Sequence, residues 1–209
     1  TKVNWNIPNI LTTFRMLAAP AVVIVFLCLD RPYADWVALF VFIGASITDF
    51  IDGYLARKWN QQSAFGTMLD PIADKAMVIL AIVAIIGLYG FKPLIVIPMI
   101  LILLREVFVS GLREFLGKDA GKLAVTKVAK WKTTVQMIAI SVLFLHGIFE
   151  YKLRVLILSM DKNVVARILS NQLTDETNLT LYYSYAFYSY YLGITLLWIA
   201  MLLTIYTGI

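Results

Sequence analysis

The run Asp49-Phe-Ile-Asp52-Gly53-Tyr-Leu-Ala56-Arg57, eight further residues, and then Gly66-Thr-Met-Leu-Asp70-Pro-Ile-Ala-Asp74 decides how the whole chain is read. On a helix, Asp49 and Asp52 stand three residues apart and Asp70 and Asp74 four apart. Each pair therefore projects from one face of its own helix. Four carboxylates gathered in this way repel one another unless positive charge sits among them. The ordinary solution is a divalent metal, and hard oxygen donors favour Mg²⁺, Mn²⁺ or Ca²⁺ over zinc. Solvated charge at helix ends is the plainer alternative, but the flanking residues here are strongly apolar.

Outward from this stretch, the chain of 209 residues is 61% hydrophobic and only 15% charged, against about a quarter charged in soluble domains. The apolar residues lie in long continuous runs rather than in alternation, which predicts an all-α polytopic membrane protein and excludes a β-barrel. Six transmembrane helices are expected, near 10–29, 34–51, 72–88, 94–108, 133–149 and 183–206. They form one bundle and one domain over 1–209, with 150–180 as an extended connection between spans five and six. Within that connection, 155–158 and 164–169 are expected to make a short surface helix.

The first run reads as a span rather than a signal peptide, because Asp30-Arg31-Pro32 follows it in place of a small-residue cleavage site. Arg15 inside that span is costly in lipid, and either snorkels to the headgroups or meets a phosphate. Pro71 lacks an amide donor and fits best in the first turn of the third helix. The fourth helix continues past its apolar run through Arg105, Glu106, Arg113 and Glu114, and Arg105 and Glu106 fall near or inside the apolar run, where charges usually pair or serve a site. Tyr182, Tyr183, Tyr185, Tyr188, Tyr190 and Tyr191 read as an interfacial aromatic belt.

The formal charge is +5. In so apolar a chain this reflects positive-inside loops and an affinity for anionic lipid or phosphorylated substrates, not nucleic acid. Arg57 and Lys58 lie between spans two and three, and Arg113, Lys118, Lys122, Lys127, Lys130 and Lys132 between four and five. The short turns on the other side carry Arg31 and Lys92, and Lys152, Arg154, Lys162 and Arg167 in the long fifth connection weaken the bias without reversing it, so the carboxylate end is predicted to face the cytoplasm. Cys28, the one cysteine, excludes an internal disulfide, and His146, the one histidine, reads as packed inside a span.

Two helix ends bearing four carboxylates can hold metal against a pyrophosphate and stabilise its entering and leaving oxygens. Gly53 and Gly66 lack a Cβ and would admit a base or phosphate to the backbone. Ala56 leaves room on the same face as Asp52, and Arg57 can bridge phosphate oxygens or hold an aspartate. Close helix packing is the alternative reading of each glycine.

The combined spacing, D-x2-D-G-x2-A-R-x8-G-x3-D-x3-D, fixes eight residues over 26 positions and resembles the CDP-alcohol phosphatidyltransferase family. The resemblance implies a six-helix, dimeric, metal-dependent transferase of phospholipid biosynthesis with two ions. It would move the phosphatidyl group of CDP-diacylglycerol to an alcohol and release CMP. By position it implies Asp49, Asp52, Asp70 and Asp74 as metal ligands, with Asp74 also taking the proton of the attacking hydroxyl. It implies Asp52, Gly53, Ala56, Arg57, Gly66 and Asp70 as the CDP-diacylglycerol pocket.

Ile7-Pro-Asn9-Ile-Leu-Thr12, Arg105-Glu106-Val-Phe-Val-Ser110-Gly-Leu-Arg113-Glu114 and Val128-Ala-Lys130-Trp-Lys132-Thr133-Thr134 resemble the phosphatidylglycerophosphate synthase branch of that family. The branch implies sn-glycerol 3-phosphate as acceptor, with Arg105, Arg113, Lys130 and Lys132 near its phosphate. It also implies a bacterial inner membrane. Positive-inside decoration is the alternative for these cations, and is the favoured reading of Lys118, Lys122 and Lys127. Inositol phosphate or serine as acceptor remains open within the family. Intramembrane prenyltransferases need more spans and lack the Asp-Gly…Ala-Arg insert. An ion or proton transporter predicts carboxylates at mid-membrane and an internal repeat, and the sequence has neither.

Overall fold

The computed structural model describes residues 7–58, 64–117 and 127–207. Seven helices account for nearly all of them: α1 (Ile7–Cys28), α2 (Tyr33–Lys58), α3 (Ala64–Tyr89), α4 (Pro93–Leu116), α5 (Lys127–Ser159), α6 (Lys162–Leu169) and α7 (Leu179–Tyr206). Among the described residues there is no strand. Six of these helices, all but α6, are long and apolar enough to cross a membrane. A helix satisfies its own backbone groups, which lipid cannot do for it. The chain is an all-helical polytopic membrane protein, as its composition requires.

Small residues bring the spans together. α1 packs on both α2 and α3, and Ala18, Ala19, Ala38, Ala45 and Ala81 are buried in the common core. Short side chains let helix backbones approach where lipid offers no hydrophobic drive to association. α5 and α7 form the other tight pair. There Gly193 allows the close approach, because a Cβ at that position would lie 2.8 Å from Leu143 Cδ2 and push that buried side chain aside. Phe42, Phe144, Met77, Ile85, Met99 and Ile140 fill the space between the two groups of helices.

Helix ends differ from the sequence expectation at α3 and at α5. α3 begins at Ala64, so Pro71 lies inside the helix rather than in its first turn. Its missing N–H removes one intrahelical bond from the helix, a loss that bundled membrane helices tolerate. Asp70 and Asp74 consequently sit on an unbroken helix, with Gly66 in the first turn before them. α4 does run past its apolar segment, ending where Gly117 turns at φ 48° and donates its N–H to the Arg113 and Glu114 carbonyls.

The second difference is α5, which continues to Ser159 instead of stopping near 149. Glu150 and Arg154 pair one turn apart on its exposed side. Leu153 and Leu156 pack with Met160 against a second, smaller core made by Val165, Ile168 and Leu179. Residues 155–158 thus belong to α5, and the short helix of the connection is α6 alone. Asp161 caps it by accepting from the Asn163 N–H at 2.8 Å.

Asp175 closes the connection onto α7. It accepts from the Thr180 hydroxyl and from the Thr180, Leu179 and Thr177 backbone N–H groups. Those bonds hold its carboxyl well below the usual carboxylate range. The stabilisation is present above the ordinary carboxylate pKa and fades as pH falls through the lowered value.

The same end of the bundle is clamped by Arg31. Its guanidinium holds the fully buried Asp35 with two bonds of 2.8 and 2.7 Å and also reaches the Gly147 carbonyl at 2.8 Å. His146 stacks on Tyr89, centroids 5.4 Å apart, and lies against Tyr190. It is packed, as expected from its place in a span.

Candidate active site

At the opposite end meet the start of α1, the end of α2 and the start of α3. Thr12 and Arg15 are three residues apart on one face of α1. Asp70 and Asp74 are four apart on one face of α3. The two faces join rung by rung. Thr12 Oγ1 donates to Asp70 Oδ1 at 2.6 Å, and Arg15 Nη1 donates to Asp74 Oδ1 one turn further in. The same Arg15 nitrogen also donates to Asp49 Oδ1, from the last third of α2.

Arg15 is therefore neither snorkelling nor exposed to a ligand from outside. Its side chain is 1% exposed, whereas those of Asp49 and Asp74 remain 38% and 43% exposed. One guanidinium thus gathers two carboxylates from different helices and leaves both open to incoming groups. Sequence spacing could not supply this pairing, since the partners lie 34 and 59 positions away.

Asp52, Gly53, Ala56 and Arg57 fall on the last turns of α2, and their side chains lie outside the described residues, as does that of Lys130. Gly66 is buried in the first turn of α3. Among the described residues, no three acid, histidine or cysteine side chains form a ready metal cage. The donor chemistry nevertheless fits a hard divalent cation. The converging groups are carboxylates without sulfur or imidazole, and a positive group already bridges Asp49 and Asp74.

Beside Asp74 opens a cavity of about 300 Å³ between α3, α4 and α5. Asp74 and Lys75 line it from α3, Arg105, Glu106 and Arg113 from α4, and Lys132, Thr133 and Gln136 from α5. Three of the four sequence-identified acceptor cations therefore share one cavity with the candidate base. Lys75 and Glu106 were not among those candidates. Lys75 Nζ donates to Ser110 Oγ across the α3–α4 boundary, and Glu106 Oε1 accepts from Lys132 and Arg105. The signal available for both was an ionisable residue inside an apolar helix, which in membranes marks a site or a partner.

Residues 5–206 match the model of the CDP-alcohol phosphatidyltransferase family. The chain belongs to that family. CDP-alcohol phosphatidyltransferases are generally dependent on divalent metal, in keeping with the carboxylate donors at this end of the bundle. One relative, from Cereibacter sphaeroides, is 53% identical over 205 residues, covering 98% of this chain and 93% of its own length. Another, from Rickettsia bellii, is 44% identical over 144 residues, covering 69% and 77%. A third, from Haemophilus influenzae, is 43% identical over 138 residues, covering 65% and 74%. All three are named CDP-diacylglycerol–glycerol-3-phosphate 3-phosphatidyltransferase.

Proposed function

We propose that this protein transfers the phosphatidyl group of CDP-diacylglycerol to sn-glycerol 3-phosphate, giving phosphatidylglycerophosphate and CMP. The observation that carries this reading is the cavity beside Asp74. Lys75, Arg105, Arg113 and Lys132 line it, supplying cations for an acceptor that is itself phosphorylated. The shared name of the relatives fits the same acceptor. The working unit is one domain over 1–209, a homodimer in the bacterial inner membrane with this end toward the cytoplasm. The lysines and arginines of the 57–58 and 113–132 segments support that orientation.

Asp49, Asp52, Asp70 and Asp74 would hold Mg²⁺ or Mn²⁺, two ions on the family's pattern. Bound there, the ions supply charge that polarises the diphosphate and stabilises the departing CMP. Gly53, Ala56, Arg57 and Gly66, with Asp52 and Asp70, frame the CDP head group. The cavity cations grip the acceptor by its phosphate, so that the hydroxyl at the far end of a three-carbon chain meets Asp74. Asp74 takes the proton of the glycerol 1-hydroxyl while that oxygen bonds to the phosphorus carrying diacylglycerol. The bond from this phosphorus to the CMP oxygen breaks, and the electron pair leaves with CMP.

The test is CMP release by the purified full-length protein from CDP-diacylglycerol, with glycerol 3-phosphate, inositol phosphate or serine as acceptor. Release with glycerol 3-phosphate alone is expected, dependent on Mg²⁺ or Mn²⁺ and abolished by EDTA. Release with another acceptor, or undiminished release in EDTA, would overturn the assignment. The Arg113→Ala variant carries a second expectation. Losing one charge-assisted bond to the acceptor raises the KM for glycerol 3-phosphate about tenfold and leaves that for CDP-diacylglycerol unchanged. Equal rises in both would remove Arg113 from the acceptor pocket.

A further inference from the structure

Glu106 is an acid in a cavity that, on the reading above, binds an anion. Its place in the bundle explains why it is there. α4 and α5 scarcely touch one another, and the cavity is the gap between them and α3. Across that gap Glu106 Oε1 accepts from Lys132 Nζ of α5. The same oxygen accepts from the neighbouring Arg105 Nη1 at 3.2 Å. Arg105 is in turn anchored from its other nitrogen, Nη2 donating to the Thr207 carbonyl at 3.0 Å at the end of α7. Lys132 is buried, at 6% exposure. A single carboxylate oxygen thus ties α4 to α5 and, through Arg105, to α7.

We propose that Glu106 is a positioning residue for the acceptor, fixing Lys132 and Arg105 side by side as one seat for its phosphate. The inference deepens the proposed function and rests on it. Two cations sharing one oxygen are close enough to reach the same phosphate group, and without a carboxylate between them they would repel apart. Each keeps donors to spare, since an ammonium has three N–H bonds and a guanidinium five. Charge balance agrees. The cavity is lined by Lys75, Arg105, Arg113 and Lys132 against Asp74 and Glu106. This leaves an excess of two positive charges to meet a phosphate of charge about −2.

The sign of the effect separates positioning from simple charge. Were Glu106 only diluting the positive potential, Glu106→Gln would tighten glycerol 3-phosphate and lower its KM. Positioning predicts the reverse: a KM for glycerol 3-phosphate raised about tenfold, the loss of one charge-assisted contact. The KM for CDP-diacylglycerol should stay within about twofold. Glu106→Asp, which keeps the charge and shortens the arm, should recover most of the loss. The thermal shift that glycerol 3-phosphate gives the wild-type protein should shrink in Glu106→Gln. A lowered or unchanged acceptor KM, or equal changes for both substrates, overturns the proposal. Should Glu106→Gln fail to fold, Glu106→Asp is read instead: the residual rise of about two- to threefold left by its shorter arm, confined to the acceptor KM, supports the proposal, and an acceptor KM unchanged or lowered, or equal changes for both substrates, overturns it. Absence of turnover with glycerol 3-phosphate in the wild-type protein would instead overturn the proposed function itself.

Discussion

Asp74→Asn is expected to lower kcat by about 10³-fold, within the range that a positioned proton acceptor contributes. Asparagine has the same shape and can still accept from Arg15 Nη1 through its amide oxygen, so the junction of α1, α2 and α3 is preserved. It cannot accept a proton from the acceptor hydroxyl. Binding of CDP-diacylglycerol, measured by equilibrium binding to the purified variant, should remain within a few-fold of the wild type, because the residues proposed to frame the head group are untouched. Asp49 shares Arg15 and is comparably exposed, which makes it the rival base. The cavity supports Asp74 over Asp49 as the proposed base, since Asp74 lines it and Asp49 is not among its lining residues. If Asp74→Asn kept more than about a tenth of wild-type turnover, the base role would pass elsewhere.

The framework and the chemistry of this protein were legible for different reasons. Six spans follow from runs of apolar residues, and the placement of Asp70 and Asp74 on one face follows from a spacing of four. Both are local properties of sequence. Arg15 was visible as an anomaly, a charge within a span, but its role depends on α2 and α3 arriving beside it, and no local pattern encodes that. Lys75 was obscured for a related reason. It sits next to a residue with a stronger claim, Asp74, and only the cavity between three helices brings it to the candidate site; Glu106, by contrast, stands out with Arg105 in the sequence as a charge in an apolar helix. The extension of α5 to Ser159 was hidden because residues 150–159 mix charge with apolar side chains. Leu153 and Leu156 find their partners only once α6 and the start of α7 fold back over them. Pro71 misled through a sound rule: proline prefers a first turn, yet neighbouring helices in a bundle absorb the missing bond.

Removal of Arg15 tests how this end of the bundle is held together. The Arg15→Ala variant deletes a guanidinium that is almost fully enclosed, and leaves the Asp49 and Asp74 carboxylates facing one another without their shared partner. Breaking a buried ion pair by removing one member costs about 3–5 kcal/mol. Both carboxylates are about two-fifths open to solvent, which places the expected loss near the lower bound, about 3 kcal/mol. For a chain of this size that corresponds to a melting temperature lower by about 6–12 °C, readable on the detergent-solubilised protein. Most of the loss is attributed to repulsion between like charges rather than to missing packing, and a second substitution separates the two. Adding Asp74→Asn to Arg15→Ala neutralises one carboxylate while keeping its shape, so the double variant should melt above Arg15→Ala alone. Arg15→Lys should fall between wild type and alanine, because a single ammonium keeps the charge but loses the planar fork. A double variant no more stable than Arg15→Ala would mean that Arg15 acts by filling space between α1, α2 and α3, and the electrostatic account of the junction would be wrong.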